Sequence, residues 1–220
     1  MDDRLLQLLT DSFWNLLIPG LTVTVPLTLA SFALGLAVAV ASALTLEARL
    51  PVLSQIIRFY VWVIRGTPLL VQLFIIFYGL PNLGLVIDPI PSAIIAFTLS
   101  VGAYCTETIR GAIRAVPNGQ IEAGVCVGLS YVQIMFLIVL PQAFRSAFPA
   151  LFNSFISLVK DTSLAANVTV TEMFMSAQRI AARTYEPFWL YIEVAVIYLI
   201  FSTVLTALQN KGEQYLNRYA

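Results

Sequence analysis

From Ser12 to Leu46 the chain carries no charged side chain. About 20 apolar residues suffice for a helix to cross the hydrocarbon of a bilayer, so this run is long enough to span and to spare. It is also far longer than the short apolar stretch of a cleaved leader, and the residues before it are acidic where a leader is basic. The run therefore reads as a retained membrane segment. The rest of the 220 residues conform to it. Hydrophobic residues make up 59% and charged residues 11%, against roughly 25% charged in soluble domains, and the mean hydropathy is +0.87.

Several function classes fall away at once. The net charge is zero, which gives no electrostatic basis for binding nucleic acid. Histidine is absent, which removes histidine metal sites, histidine-based triads and histidine proton relays. Cys105 and Cys126 would stand roughly 30 Å apart along a helix, too far for a disulfide; both are expected to be small buried fillers. There is no Gly-rich phosphate loop ending in Lys-Ser/Thr, no His-Glu-x-x-His and no nucleophile elbow, so neither ATP binding by such a loop nor bond cleavage is encoded here.

The apolar runs divide into about five spans. The first covers 13 to 46, with a kink or short lead-in helix expected from Pro19, Gly20 and Pro26. Its part from Thr28 to Leu44 alternates small and large residues and should pack on other helices. The second covers 56 to 80 and is interrupted by Arg65-Gly66-Thr67-Pro68. The third starts after Asp88-Pro89-Ile90-Pro91 and continues through Arg114, the fourth covers 134 to 159 and the fifth 188 to 208. Loops are short and no internal repeat is visible, so residues 1–220 are expected to form a single membrane domain. Lys and Arg in short loops mark the cytoplasmic side. Arg49, Arg58, Arg110, Arg114, Lys211 and Arg218 then place the C-terminus inside and the acidic N-terminus outside. Arg179 and Arg183 run against that assignment. Trp189, Tyr191 and Tyr185 fit an interfacial belt.

Between Glu122 and Arg145 no residue is charged, yet a span there would collide with the fourth span and put the tail outside. The alternative is a short cytoplasmic surface helix that starts after Pro117 and Gly119 and then turns up into the fourth span. Glu122 suits its first turn. Ala123, Gly124 and Gly128 keep one surface small, and so apolar a surface helix calls for a covering partner.

The spacing Glu122-Ala123-Gly124, Gly128, then Ile138-Val139-Leu140-Pro141 resembles the EAA motif of bacterial ABC importer permeases, with Gly124 in place of the usual second alanine. RGTPLLVQLFIIFYGLP at 65–81, ETIRGAIRAVPNGQIEAG at 107–124 and LPQAFRSAFPALFNSFISLVKDTSLA at 140–165 are similar to the polar amino acid branch. IDPIPSA at 87–93, ISLVKDTSLAA at 156–166 and AQRIAART at 177–184 look most like L-cystine permease subunits; glutamine, arginine and histidine permeases share much of the same text. The resemblance implies an all-α polytopic fold of about five transmembrane helices with a cytoplasmic coupling helix, in the bacterial inner membrane. It implies an ATP-driven importer working by alternating access. Its partners would be a second permease subunit, identical or different, a dimer of ABC ATPase subunits and an extracytoplasmic solute-binding protein. The chain itself would hold no cofactor, ATP and Mg being bound by the ATPase. A stand-alone secondary transporter would need mid-span coupling acids or an inverted repeat.

Charges at membrane depth are costly and are site candidates by default. Arg65, beside Thr67, either faces the translocation path and meets a substrate carboxylate or snorkels to the interface. Lys160, Asp161, Thr162 and Ser163 offer a cation, an anion and two hydroxyls to a zwitterionic amino acid, or else simply close the fourth span. Adjacent residues do not share a helix face, so Lys160 and Asp161 should serve different partners. Glu107, Arg110 and Arg114 share one face, as an interface anchor or as a latch. Glu172 and Glu193 stand out without an assigned role.

Overall fold

The computed structural model describes residues 3–48 and 50–218; Arg49 lies outside them. All regular structure among them is helical. Helix α1 (Asp3–Pro19) and α2 (Val25–Glu47) form one continuous 45-residue rod. At 1.5 Å per residue this is roughly 68 Å, about twice the hydrocarbon thickness. No separate lead-in helix splits off. Pro26 is accommodated instead by a π-turn over Gly20–Thr24, in which the Val25 N–H reaches back to the Gly20 carbonyl.

The same device recurs. The Leu80 N–H bonds Ile75 O just before Pro81, and the Leu140 N–H bonds Met135 O just before Pro141. A proline lacks an N–H and its ring crowds the carbonyl four residues back. Widening the turn by one residue gives the preceding N–H an acceptor and relieves that crowding.

Helix α3 (Pro51–Gly66) and α4 (Leu69–Phe74) are the halves of the second span. With the π-turn and short 3₁₀ turn that continue α4 to Leu83, they are bent by 106°. The interruption expected at Arg65–Pro68 is thus a full break of the helix. Helix α5 (Pro89–Ala115) is the third span. It packs closely on α2: the Thr98 hydroxyl donates to Ser31 O at 3.4 Å, and a Cβ on Gly35 would stand 2.6 Å from Val101 Cβ. That bears out the packing read for α2 and lets the backbones approach closely, as apolar solvent requires. Tyr60 of α3 ties in by donating to Leu99 O at 2.6 Å.

Pro117 ends the span, and α6 (Asn118–Cys126) follows as a separate short helix. After a turn, α7 (Tyr131–Ile134), a π-turn and α8 (Leu140–Asp161) make the fourth span. Ser130 opens it with a capping box: Gln133 N–H donates to Ser130 Oγ, and Ser130 N–H to Gln133 Oε1 at 2.8 Å. A 3₁₀ turn over Thr162–Val168 leads to α9 (Met173–Thr184) and the fifth span, α10 (Pro187–Asn217). Two apolar cores result. One joins α2, α4, α5 and α8; the other joins α1, α9 and α10.

Candidate functional site

Helix α8 carries Asn153, Ser157 and Asp161, four residues apart and therefore on one face. Across from them stand Ser100, Val101 and Tyr104 of α5 and Leu69 of α4. Together with Ser154, Leu158 and Leu164 they line a cavity of about 420 Å³, within the range of small-molecule sites. The break at Arg65–Pro68 borders it: the Arg65 guanidinium lies 5.5 Å from the centre of the Tyr104 ring, a cation–π distance. Asp161 is the last residue of α8, where a carboxylate opposes the helix dipole. Among the described residues no hydrogen bond or ion pair is made by its side chain.

The four polar residues at 160–163 do not form one cluster. Asp161 faces the cavity. Lys160 and Ser163 line a different groove, with Tyr191, Tyr198 and Ser202 of α10, which agrees with the expectation that neighbours serve different partners. Thr162 is fully buried and donates to Val159 O at 2.7 Å. Thr67 is exposed, but its hydroxyl is engaged, donating to Val63 O at 2.9 Å and accepting from Gln72 Nε2 at 2.9 Å.

At the other end of the bundle, α6 packs inward through Gly124. A Cβ there would stand 2.8 Å from Ile134 Cγ1, so the small residue serves the chain's own packing. Gly128 does not keep a surface small within the chain either, since a Cβ there would meet nothing within 4 Å. Its φ is +80°. Its N–H bonds Val125 O at 3.0 Å, and the Leu129 N–H bonds Gly124 O at 3.0 Å, the paired bonds of a Schellman close in which glycine takes the left-handed position. Glu122 and Ala123 are exposed. So are Val125, Val127, Tyr131 and Val132, at 61%, 75%, 61% and 61%, an apolar surface without cover. Cys126 is exposed here while Cys105 is buried, so the expectation of two buried fillers holds only for Cys105.

Three charged residues gain partners that sequence reasoning missed. Glu47 at the end of α2 meets Arg114 at 2.9 Å and Arg110 at 3.4 Å, and Arg110 also meets Glu107 at 2.7 Å. The arginine face is therefore a tie between two spans. Glu172 is fully buried between the fourth and fifth spans. It caps α9 by accepting from the Phe174 and Met175 N–H groups at 2.8 and 2.6 Å and from the Tyr198 hydroxyl at 3.2 Å. Burial pushes its carboxyl above the usual range, and those donors only partly counter it. Glu193 accepts from Ser12 at 2.5 Å, joining α10 to α1. Among the described residues no His, Cys, Asp and Glu group is arranged to hold a metal.

Residues 32–214 match the family described as Binding-protein-dependent transport system inner membrane component. The chain is 47% identical over 214 residues to the L-cystine transport system permease protein TcyB of Bacillus subtilis (strain 168), covering 97% of this chain and 92% of that protein. It is 42% identical over 173 residues to the probable amino-acid ABC transporter permease protein PatM of Vibrio harveyi, covering 77% and 78%. Among solved structures it superposes on a chain of an amino acid ABC transporter with histidines, with a TM-score of 0.90 and 31% identity, covering 98% of this chain and 100% of the other.

Proposed function

The chain belongs to the family of binding-protein-dependent transport system inner membrane components, and from that premise we propose that it forms the path of an ATP-driven importer for L-cystine. It is an ABC importer permease for amino acids, not an enzyme; hydrolysis of ATP belongs to a separate subunit. The observation that carries the site is the cavity among α4, α5 and α8, a largely apolar space into which a few polar groups converge. In it Asp161 accepts from the substrate ammonium group, Asn153, Ser157 and Ser100 offer neutral hydrogen bonds, and Arg65 on Tyr104 stands ready for a carboxylate. L-Cystine has two ammonium and two carboxylate groups, which suits a site holding both an acid and a guanidinium. Identity to the cystine permease over nearly the whole chain supports the same substrate.

The mechanism is alternating access. The uncovered apolar surface of α6 and α7, with Glu122 and Ala123, docks on the ATPase subunit. The rigid turn at Gly128 passes ATPase movement into the fourth span, whose far end holds Asp161. ATP and Mg stay with the ATPase. A second permease subunit completes the path, and an extracytoplasmic binding protein delivers the substrate. Differential binding of these partners, not chemistry in this chain, sets which way the path opens. Arg58, Arg110, Arg114, Lys211 and Arg218 favour a cytoplasmic C-terminus and an external N-terminus. Uptake of labelled L-cystine into vesicles holding the full transporter tests the substrate. Unlabelled L-cystine should compete best; stronger competition by glutamine, arginine or histidine would assign the path to that amino acid instead.

A further inference from the structure

Gln72 is the only polar residue between Pro68 and Tyr78, and it is 8% exposed. Its amide nitrogen donates to Ile64 O at 2.8 Å, Thr67 O at 3.1 Å and Thr67 Oγ1 at 2.9 Å. Breaking a helix leaves its last carbonyls without partners, and in hydrocarbon no water replaces them. At the end of α3, Thr67 covers Val63 O, while Gln72 reaches back from α4 to cover Ile64 O and Thr67 O. Its own Oε1 is buried and has no partner among the described residues. Flipping the amide would set that oxygen against three other oxygens, so the orientation is fixed by what the nitrogen does.

We propose that Gln72 is a positioning residue: its amide clamps the 106° bend of the second span and so fixes Leu69 in the wall of the cavity and Arg65 over Tyr104, which also lines it. Arg65 is the penultimate residue of the half that Gln72 caps, and Leu69 lies one turn before Gln72 on the other half. Without the clamp, α3 can swing and the guanidinium leaves its place over Tyr104. This inference rests on the reading that the cavity takes the substrate.

The test uses the permease–ATPase complex in nanodiscs without binding protein, and labelled L-cystine as the probe. Gln72→Met keeps the volume and removes the donor; Gln72→Glu sets a carboxylate oxygen against the three acceptors. Both should weaken binding about tenfold. In the Arg65→Leu background, Gln72→Met should add nothing, because it acts through the lost side chain. Losses that multiply in the double variant would overturn the positioning role. The bend is read separately by spin labels at Ile56 and Ile75, both exposed, with Cys105 and Cys126 replaced by alanine. Gln72→Met should broaden the distance distribution, and an unchanged distribution would overturn the clamp. If neither Arg65→Leu nor Asp161→Asn weakens binding, the cavity reading fails, while the label distances still decide whether Gln72 holds the bend.

Discussion

Gly128→Ala isolates backbone conformation from packing at the joint between α6 and the fourth span. The new Cβ meets nothing within 4 Å, so no steric contact contributes. What remains is φ at +80°, which costs an L-residue about 1–2 kcal/mol. Each 1.4 kcal/mol is a factor of ten, so the turn should open roughly five- to thirtyfold more often. Hydrogen exchange reads this directly at Val127, Gly128 and Leu129, whose N–H groups bond the carbonyls of Ala123, Val125 and Gly124. Their exchange should accelerate by that factor in Gly128→Ala. Asn tolerates the left-handed region, so Gly128→Asn should recover much of the protection. Gly119→Ala is the control: it too has open space and no positive φ, so alanine there should slow exchange in α6 or leave it alone. Wild-type exchange in Gly128→Ala, or equal acceleration by Gly119→Ala, would refute the conformational account.

Asp161→Asn keeps the shape and removes the charge. Losing a charge-assisted hydrogen bond of about 1.5–3 kcal/mol should lower L-cystine uptake tenfold to a hundredfold while assembly with the ATPase persists; unchanged uptake would remove Asp161 from the site. In spheroplasts carrying the permease alone, an impermeant maleimide should label exposed Cys126 only after permeabilisation, and a cysteine at Val86, 82% exposed between the second and third spans, without it; the reverse pattern would invert the orientation. The raised Glu172 carboxyl makes the folded state hold its proton more tightly than the unfolded chain. Its contribution to stability is therefore full below the ordinary carboxyl value of 4.5 and lost as pH rises through the folded value. Thermal stability should fall over that window more steeply in the wild type than in Glu172→Gln, whose amide oxygen still caps α9; equal slopes would contradict it.

The spans were legible because apolar runs and their charged ends are set by the bilayer itself. Asp161 and Arg65 stood out as charges where lipid tolerates few. Asn153 and Ser157 did not, though their four-residue spacing to Asp161 was there to be read. Gln72 was hidden in the same way, a neutral amide whose importance appears only when the helix before it ends. Glu47 was missed because its partners are more than sixty residues away, a distance no local pattern bridges. Gly128 was read as a space-saving residue for a partner, since sequence shows that a glycine is small but not that its φ is positive. At 160–163 four adjacent polar residues looked like one cluster; a helix end turns successive side chains to different neighbours.

A π-turn is a helical turn with one residue to spare. Each of the three, at Gly20–Thr24, Ile75–Gly79 and Met135–Val139, could lose a residue and close to an ordinary α-turn once its following proline is replaced. The side chains on either side would then keep the directions they have now. Single-residue length differences between related chains should therefore gather at these turns, where they alter the curvature of a span but not which of its faces meets lipid.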